Sequence, residues 1–351
     1  MGPAPSVAEV RRAVRAVLGD RSRTGAADVV LVACSGGADS LALAAATAFE
    51  APRSGVRAGL VTVDHGLQPG SAAQAARAAA CGRELGLDPV LTVDVEVGGE
   101  GGPEAAARTA RYAALDALAV RLGADVLLGH TLDDQAETVL LGLGRGSGPR
   151  SIVGMAVVDR PYVRPLLRVR RATTEAACAA LGLTPWDDPH NVDPRYQRVR
   201  LRSEVVPLLD DVLQGGVAPA LARTAELLRD DLEALDAWAA DVLAGSASPS
   251  VPPAPVAGDQ LRVPAAERPR SAVDHLELSL VAGLPRAVRT RVLRAWAART
   301  GAEPLSAERT AALDALVTAW HGQGPVGLPG GIDVTRASGR LEAHPRRTAQ
   351  E

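Results

Sequence analysis

The sequence predicts an α/β fold: a parallel sheet with helices on both faces, followed by a smaller, mainly helical C-terminal region. Three observations carry this prediction. Short apolar runs rich in Val and Leu alternate with longer helical runs across residues 28–146. The short runs are continuous rather than alternating, as in strands buried on both faces. Polar clusters follow three of them: "CSGGADS" (34–40), "DHG" (64–66) and "GHTLDD" (129–134). In an open α/β sheet, such clusters meet outside the carboxyl ends of the strands, where ligands bind.

The elements follow in order. Residues 6–18 have the spacing of an amphipathic helix. "DVVLVAC" (28–34) predicts a buried strand, and a helix follows from about Asp39 to Phe49. "RAGLVTVDHG" (57–66) is a second strand ending in a polar turn, and "SAAQAARAAACGRELG" (71–86) a helix with a glycine stop. "PVLTVDVEV" (89–97) is a third strand. The long helix at 102–123 has Pro103 near its start and Gly123 past its end. "ADVLLGH" (124–130) is a fourth strand, and "LDDQAETVLLGLGRG" (132–146) a helix opening with acids. The crossovers are expected to be right-handed. Residues 1–210 are read as a catalytic domain whose extension, 151–210, is rich in proline and arginine. Residues 211–351 are read as a mainly helical domain, helical over 211–243, with a Pro/Ser/Ala-rich loop at 244–260. Beyond the loop come a strand-like segment, two helices and a hairpin at 324–343.

Composition narrows the function classes. Only 2% of residues are aromatic, so Ala, Val and Leu must form the core. Cys34, Cys81 and Cys178 are widely spaced and form no CxxC, which argues against a disulfide framework, a zinc knuckle or a cysteine-held cluster. A reducing, cytoplasmic setting fits best, with no membrane partner, because every apolar run is broken by charge or glycine. The net charge of −3 does not by itself point to nucleic acid. Its distribution does: residues 160–202 hold nine arginines against four acids. The chain has no lysine, which matches the codon bias of a GC-rich genome and makes every long basic side chain a planar guanidinium.

"CSGGADS" places two glycines between a buried strand and a helix. Gly36 and Gly37 let the backbone approach a ligand closely, and the helix start offers unpaired N–H groups to an anion. Ser35 and Ser40 add hydroxyls. Asp39 is an unexpected neighbour for a phosphate unless Mg2+ lies between them. Neither GxxxxGK[ST] nor GxGxxG occurs here, so this is not a Walker loop or a dinucleotide fingerprint. The plain alternative is a glycine turn entering a capped helix.

The other clusters carry similar alternatives. Asp134 and Glu137 are three apart and share a helix face, with His130 at the preceding strand end; acids complementing a helix dipole are the plain reading. Asp64 and His65 follow the second strand, where His65 is available to a phosphate or a base. Arg108 and Arg111 share one face of the long helix. Arg145, Arg164, Arg195, Arg200 and Arg202 are candidates for a surface that holds RNA phosphates, with Trp186 and Tyr196 available for stacking.

"SGGADS" resembles the SGGxDS loop of the ATP-pyrophosphatase family. Within that family the chain resembles the tRNA(Ile)-lysidine synthetases, through "VDHGL" (63–67), "EAAARTARYAAL" (104–115), "GHTLDDQAETVLLGLGRGSG" (129–148), "RPLL" (164–167) and "WDDPHNVDPRYQRVRLR" (186–202). "LPGG" (328–331) extends the likeness more loosely into the last third. The resemblance implies an adenine-nucleotide alpha-hydrolase-like fold and a carbon–nitrogen ligase. Its partners would be ATP, free lysine and the isoleucine tRNA with a CAU anticodon. Residues 35–40 with Asp64 and His65 would bind ATP, and Asp39 would hold Mg2+. Asp134 and Glu137 would hold the lysine amine, and His130 and Arg111 would complete the catalytic set. The C-terminal domain would bind tRNA. A homodimer is compatible with the resemblance, and the sequence leaves the oligomeric state open. Two positions depart from the family pattern: Thr131 replaces a usual histidine, and Asp64 a frequent asparagine. The chain is also shorter than the family's longest members, which carry a further domain. The alternatives are a tRNA thiolase of the same family, which commonly uses paired cysteines, and a nonenzymatic adenine-nucleotide-binding module.

Overall fold

Val30 and Val32 of the first strand, with Cys34 just past its end, pack into one hydrophobic cluster, while Val29 and Leu31 pack into another on the opposite side. Successive side chains point to opposite faces of a sheet, so a strand covered on both sides needs a continuous apolar run. This computed structural model describes residues 2–19, 27–66, 70–98, 103–146, 148–186, 193–245 and 274–346. Residues 187–192 of the family-like stretch, Leu67, Ser147 and positions 246–260 of the Pro/Ser/Ala-rich loop lie outside the described residues.

The first part of the chain runs α1 (Pro5–Gly19), β1 (Val29–Ala33), α2 (Ala38–Glu50), β2 (Arg57–Asp64), α3 (Ser71–Glu84), β3 (Val90–Asp94), α4 (Pro103–Leu122), β4 (Ala124–Leu128) and α5 (Leu132–Arg145). Each predicted element is present, with ends shifted by a few residues. With two short later strands, β5 (Val158–Asp159) and β6 (Tyr162–Val163), the sheet order is β3-β2-β1-β4-β6-β5, and β1 is parallel to both β2 and β4. The chain reverses its direction of travel across the sheet between β1 and β4, so the carboxyl ends of these two strands form the switch point where a crevice opens.

Two strands were not anticipated. After α6 (Pro149–Ile152), β5 (Val158–Asp159) and β6 (Tyr162–Val163) form a short antiparallel pair, and β6 joins β4 in parallel. They are two residues each, too short to leave a periodic signal. α7 (Arg171–Leu181) packs with α1 and α2 around the cluster that contains Cys34 and Cys178. α8 (Gln197–Arg200) runs through wider π turns at Leu201–Val205 into α9 (Val206–Val212). The Val206 N–H reaches the Leu201 carbonyl, five residues back. Pro207 lacks an N–H and cannot restore the regular i to i−4 ladder. α10 (Val217–Leu243) then follows.

The described chain divides into two compact units, one up to Leu227 and one from Leu228, so the division falls inside α10. The second unit contains β7 (Asp274–Glu277), α11 (Leu278–Val281), α12 (Arg286–Arg299), α13 (Ala307–Thr318), β8 (Val326–Leu328), β9 (Ile332–Ala337) and β10 (Arg340–Pro345). The segment at 324–343, expected as a single hairpin, forms more than that. Three strands lie there, and with β7 they form a four-stranded antiparallel sheet, β7-β10-β9-β8. Its core includes Leu293, Trp296, Leu313, Leu316 and Leu341, and Arg289 pairs with Asp314 at 2.6 Å between the two longer helices. Among the described residues, no single helix is long and apolar enough to cross a membrane.

Candidate active site

Three helix N-termini meet at the switch point: α2 after β1, α5 after β4, and α7. Gly129 makes the first meeting close. A Cβ there would lie 3.1 Å from the Ser40 nitrogen and 3.2 Å from the Asp39 carbonyl carbon. Gly36 has φ +85°, and a Cβ on it would run into the Gln74 amide. Both glycines are therefore required by the backbone itself. The loop is braced from within. The Ser40 hydroxyl donates to the Gly37 carbonyl at 2.9 Å and lies 3.3 Å from the Ser35 hydroxyl, and the Trp186 N–H donates to the Gly36 carbonyl at 2.9 Å. Ala38 opens α2 with Gly37 as its N-cap.

α5 is capped reciprocally. Thr131, fully buried, accepts from the Asp134 N–H, and Asp134 Oδ2 accepts from the Thr131 N–H at 2.7 Å and its hydroxyl at 2.8 Å. The threonine that replaces the family's usual histidine is thus an N-cap residue, in a capping box that uses aspartate at its third position.

Asp39, Asp134 and Glu137 come together, and one guanidinium links them. Arg171 Nη2 lies 2.7 Å from Asp134 Oδ1, Nε 3.5 Å from Asp39 Oδ2 and Nη1 3.6 Å from Glu137 Oε1. Its backbone N–H donates to Asp133 Oδ2 at 2.8 Å, and Arg170 pairs with the same carboxylate at 2.9 Å. Thr174, also fully buried, donates its hydroxyl to Asp39 Oδ1. Glu137 is 2% exposed. Its Oε1 accepts from Arg202 Nε at 2.9 Å, while Arg198 stands 3.7 Å from Oε2. That second oxygen has no hydrogen-bond donor. A buried carboxylate oxygen without a donor is costly, and a ligand with N–H groups would satisfy it.

The electrostatics follow from this packing. Burial pushes the Asp39 carboxyl above its usual range, and the nearby Asp134 charge adds to that, against Thr174 and Arg171. Burial works the same way on Asp134, but Arg171 and the two Thr131 hydrogen bonds outweigh it and hold this carboxyl below the usual range. His130 is pushed down to about 4 by burial, with the charges of Arg164, Arg111 and Arg108 adding to the effect against Asp134. The imidazole is neutral at pH 7. Its Nδ1 and Arg111 Nε are buried without partners.

The remaining candidates are spread out. Asp64 Oδ1 accepts from the Gly66 N–H at 2.9 Å and closes the turn after β2, with His65 half-buried inside that turn. Arg145, Arg195 and Arg200 are exposed, with Arg195 paired to Asp193 at 2.6 Å and Arg200 to Glu204 at 2.9 Å. Arg164 must be removed from the RNA-facing set. It is buried, donates to the Ala156 carbonyl at 3.1 Å and lies 3.7 Å from Asp159, so it is not a surface arginine. Arg202, placed with the phosphate-binding arginines, instead turns inward to Glu137.

Sequence reasoning missed Arg171, Thr174 and Arg198. Its only signal for them was the arginine-rich window. Among the described residues no group of three or more His, Cys, Asp or Glu side chains is arranged to hold a metal ion. Mg2+ therefore fits only in the manner that needs one carboxylate, Asp39, with phosphate oxygens of a nucleotide completing the shell.

A PP-loop domain family matches residues 8–209, and a TilS substrate binding domain family matches residues 276–342. The tRNA(Ile)-lysidine synthase of Thermobifida fusca is 54% identical over 343 residues, 97% of this chain and 98% of that protein. The tRNA(Ile)-lysidine synthase of Streptomyces coelicolor is 51% identical over 370 residues, 97% and 99% of the two chains. Among solved structures, the U34-tRNA thiolase NcsA from Methanococcus maripaludis superposes with a TM-score of 0.54 at 20% identity, covering 64% of this chain and 80% of that one, a likeness of fold alone. With relatives this similar over nearly their whole length, and both of its domains matched, the chain belongs to the tRNA(Ile)-lysidine synthase family.

Proposed function

We propose that this protein joins the ε-amine of free lysine to C2 of the wobble cytidine in the CAU-anticodon isoleucine tRNA, at the expense of ATP. The observation that carries the reading is the meeting of the "SGGADS" and "GHTLDD" helix starts, where Asp39 and Asp134 share Arg171. One side of this meeting suits a nucleotide and the other an amine.

Cytosine C2 has no leaving group. Attack of its O2 on the α-phosphorus of ATP forms an O2–phosphorus bond and releases pyrophosphate. The amine then adds to C2, the C2–O2 bond breaks, and AMP leaves with the former cytidine oxygen. The N–H groups at the start of α2 and the glycines of the 35–40 loop suit the pyrophosphate. Mg2+ held by Asp39 and the phosphates would neutralise charge on the departing group. Asp134 and Glu137 receive the ammonium, and the unpartnered Oε2 of Glu137 supports that assignment. An amine with a pKa of ~10.4 is protonated at neutral pH, so one of these carboxylates must accept its proton before attack. Neutral His130 and Arg111 flank the site as candidates to contact the adenylated base. Residues 1–210 would carry the chemistry and 211–351 would bind tRNA, with exposed Arg145, Arg195 and Arg200 engaging phosphates.

The thiolase alternative is weakened by the cysteines: Cys34 and Cys178 are buried and the sulfurs contact Ser40 and the Ala38 carbonyl. Pyrophosphate release is measured with ATP, lysine and the tRNA, omitting each in turn. The reading requires release that depends on the tRNA, and AMP release that depends on lysine. Release that proceeds without tRNA overturns it.

A further inference from the structure

Four carboxylates surround the switch point: Asp39, Asp133, Asp134 and Glu137. Four guanidiniums face them: Arg170, Arg171, Arg198 and Arg202. Arg171 differs from the other three. Arg170 serves only Asp133, and Arg198 and Arg202 are 44% and 36% exposed and approach from the outer side. Arg171 is 18% exposed, and each of its three nitrogens is directed at a different carboxylate. Two of those carboxylates lie in the first two turns of α5 and the third in the first turn of α2. Its own backbone is pinned by Asp133, and Thr174 on the same helix holds the far oxygen of Asp39. The start of α7 is therefore a clamp whose jaws are the nucleotide-side and amine-side carboxylates.

We propose that Arg171 is a positioning residue that links the two half-sites and sets the affinity for the substrate amine. This rests on the assignment of Asp134 and Glu137 to lysine. Two consequences follow from the geometry. Asp39 and Asp134 are like charges held near each other, Asp39 by Thr174 and Asp134 by Thr131, and the shared guanidinium offsets their repulsion; without it Asp39 loses the cation that joins it to the amine side. Meanwhile the positive charge of Arg171 neutralises the carboxylates that an incoming ammonium would pair with, so it weakens amine binding. The alternative, that Arg171 clamps the α-carboxylate of lysine, finds no support in its geometry, because its donors are already directed at carboxylates of the protein. The two ideas predict opposite signs.

Two variants distinguish them. Arg171→Gln removes the charge, and Arg171→Lys keeps the charge but cannot span three carboxylates. Labelled-lysine binding is measured by equilibrium dialysis on the nucleotide-free protein, the lysine KM from AMP release, and the adenylation rate in single turnover. In Arg171→Gln we expect lysine Kd and KM to fall about fivefold while adenylation slows tenfold or more. In Arg171→Lys, lysine affinity stays near that of the parent while adenylation still slows. A purely structural role would scale kcat in both variants and leave KM unmoved, which overturns the proposal. A raised lysine Kd in Arg171→Gln overturns it in favour of the carboxylate clamp. Glu137→Gln serves as the control: if it leaves lysine binding unchanged, the amine-site reading itself has failed.

Discussion

Arg202 Nε donates to Glu137 Oε1 across 2.9 Å, joining side chains 65 positions apart in sequence. The π turns at Leu201–Val205 carry this arginine, and wide turns of this kind are common where a helix must deliver a side chain to a functional site. The contact leaves one oxygen of Glu137 engaged and the other without a donor. A carboxylate so arranged has a fixed orientation and a vacant lone pair.

Glu137→Gln tests that arrangement. The amide keeps an acceptor for Arg202 but removes the charge, and charge-assisted hydrogen bonds are roughly twice as strong as neutral ones. Lysine affinity should fall about tenfold or more. Adenylation does not use lysine, so adenylated tRNA should accumulate and AMP release should slow. Single-turnover kinetics with α-labelled ATP follow both. Loss of adenylation with lysine affinity unchanged would assign Glu137 to the nucleotide instead.

Thr131 offers a test of the cap. Thr131→Val keeps the shape but removes the oxygen that the Asp134 N–H uses, and loss of an N-cap costs about 1 kcal/mol, within a range of roughly 0.5–2. It also frees Asp134 from one of its two Thr131 donors. Urea denaturation should show the loss, and Thr131→Ser should recover most of it. Equal stability of the two variants would mean the hydroxyl does not cap α5.

These two residues also show what a sequence can and cannot disclose. The loop after β1 and the acids opening α5 were legible because each is local: glycine freedom, a strand's apolar run and a helix start all act within a few residues. Thr131 was visible only as a departure from the family pattern, and its cap became evident once Asp134 was seen returning to its N–H. Arg171 and Thr174 were not legible as site residues. They lie 132 and 135 positions from Asp39, and nothing in their local spacing sets them apart from the other residues of the arginine-rich stretch. Arg164 misled for the same reason, since composition does not tell a buried guanidinium from an exposed one. The strands β5 and β6 escaped because two residues cannot display a period.

The arginines divide by exposure, and tRNA binding should divide with them. Arg195 and Arg200 are 81% and 60% exposed. Each phosphate contact to a single strand contributes about 0.7 to the slope of log K against log salt, so Arg195→Ala with Arg200→Ala should flatten it by up to about 1.4. Arg164→Met should leave the slope unchanged and lower the melting temperature, because the Ala156 carbonyl and Asp159 lose their buried partner. Filter binding across a salt series reads the slope. A flattened slope in Arg164→Met, or none in the double variant, would contradict this division.

His130 should make the protein sensitive to mild acid. Its pKa falls from 6.5 in the unfolded chain to about 4 in the fold, first through burial and then through Arg164, Arg111 and Arg108, with Asp134 opposing. The unfolded chain therefore binds more protons than the native one between these values, and stability rises with pH across that interval. The contribution is fully present above pH 6.5 and is lost as the pH falls toward 4. At pH 5 the loss amounts to about 1–2 kcal/mol. His130→Gln cannot titrate, so it should show a flatter stability profile from pH 7 to pH 4.5, even if its stability at pH 7 is lower. Asp39, pushed up by burial, is common to both proteins, so its titration enters both profiles alike. Urea midpoints measured at half-unit intervals give the two profiles. Parallel profiles would show that the imidazole keeps an ordinary pKa, and His130 would then be protonated in part at the pH where the enzyme works.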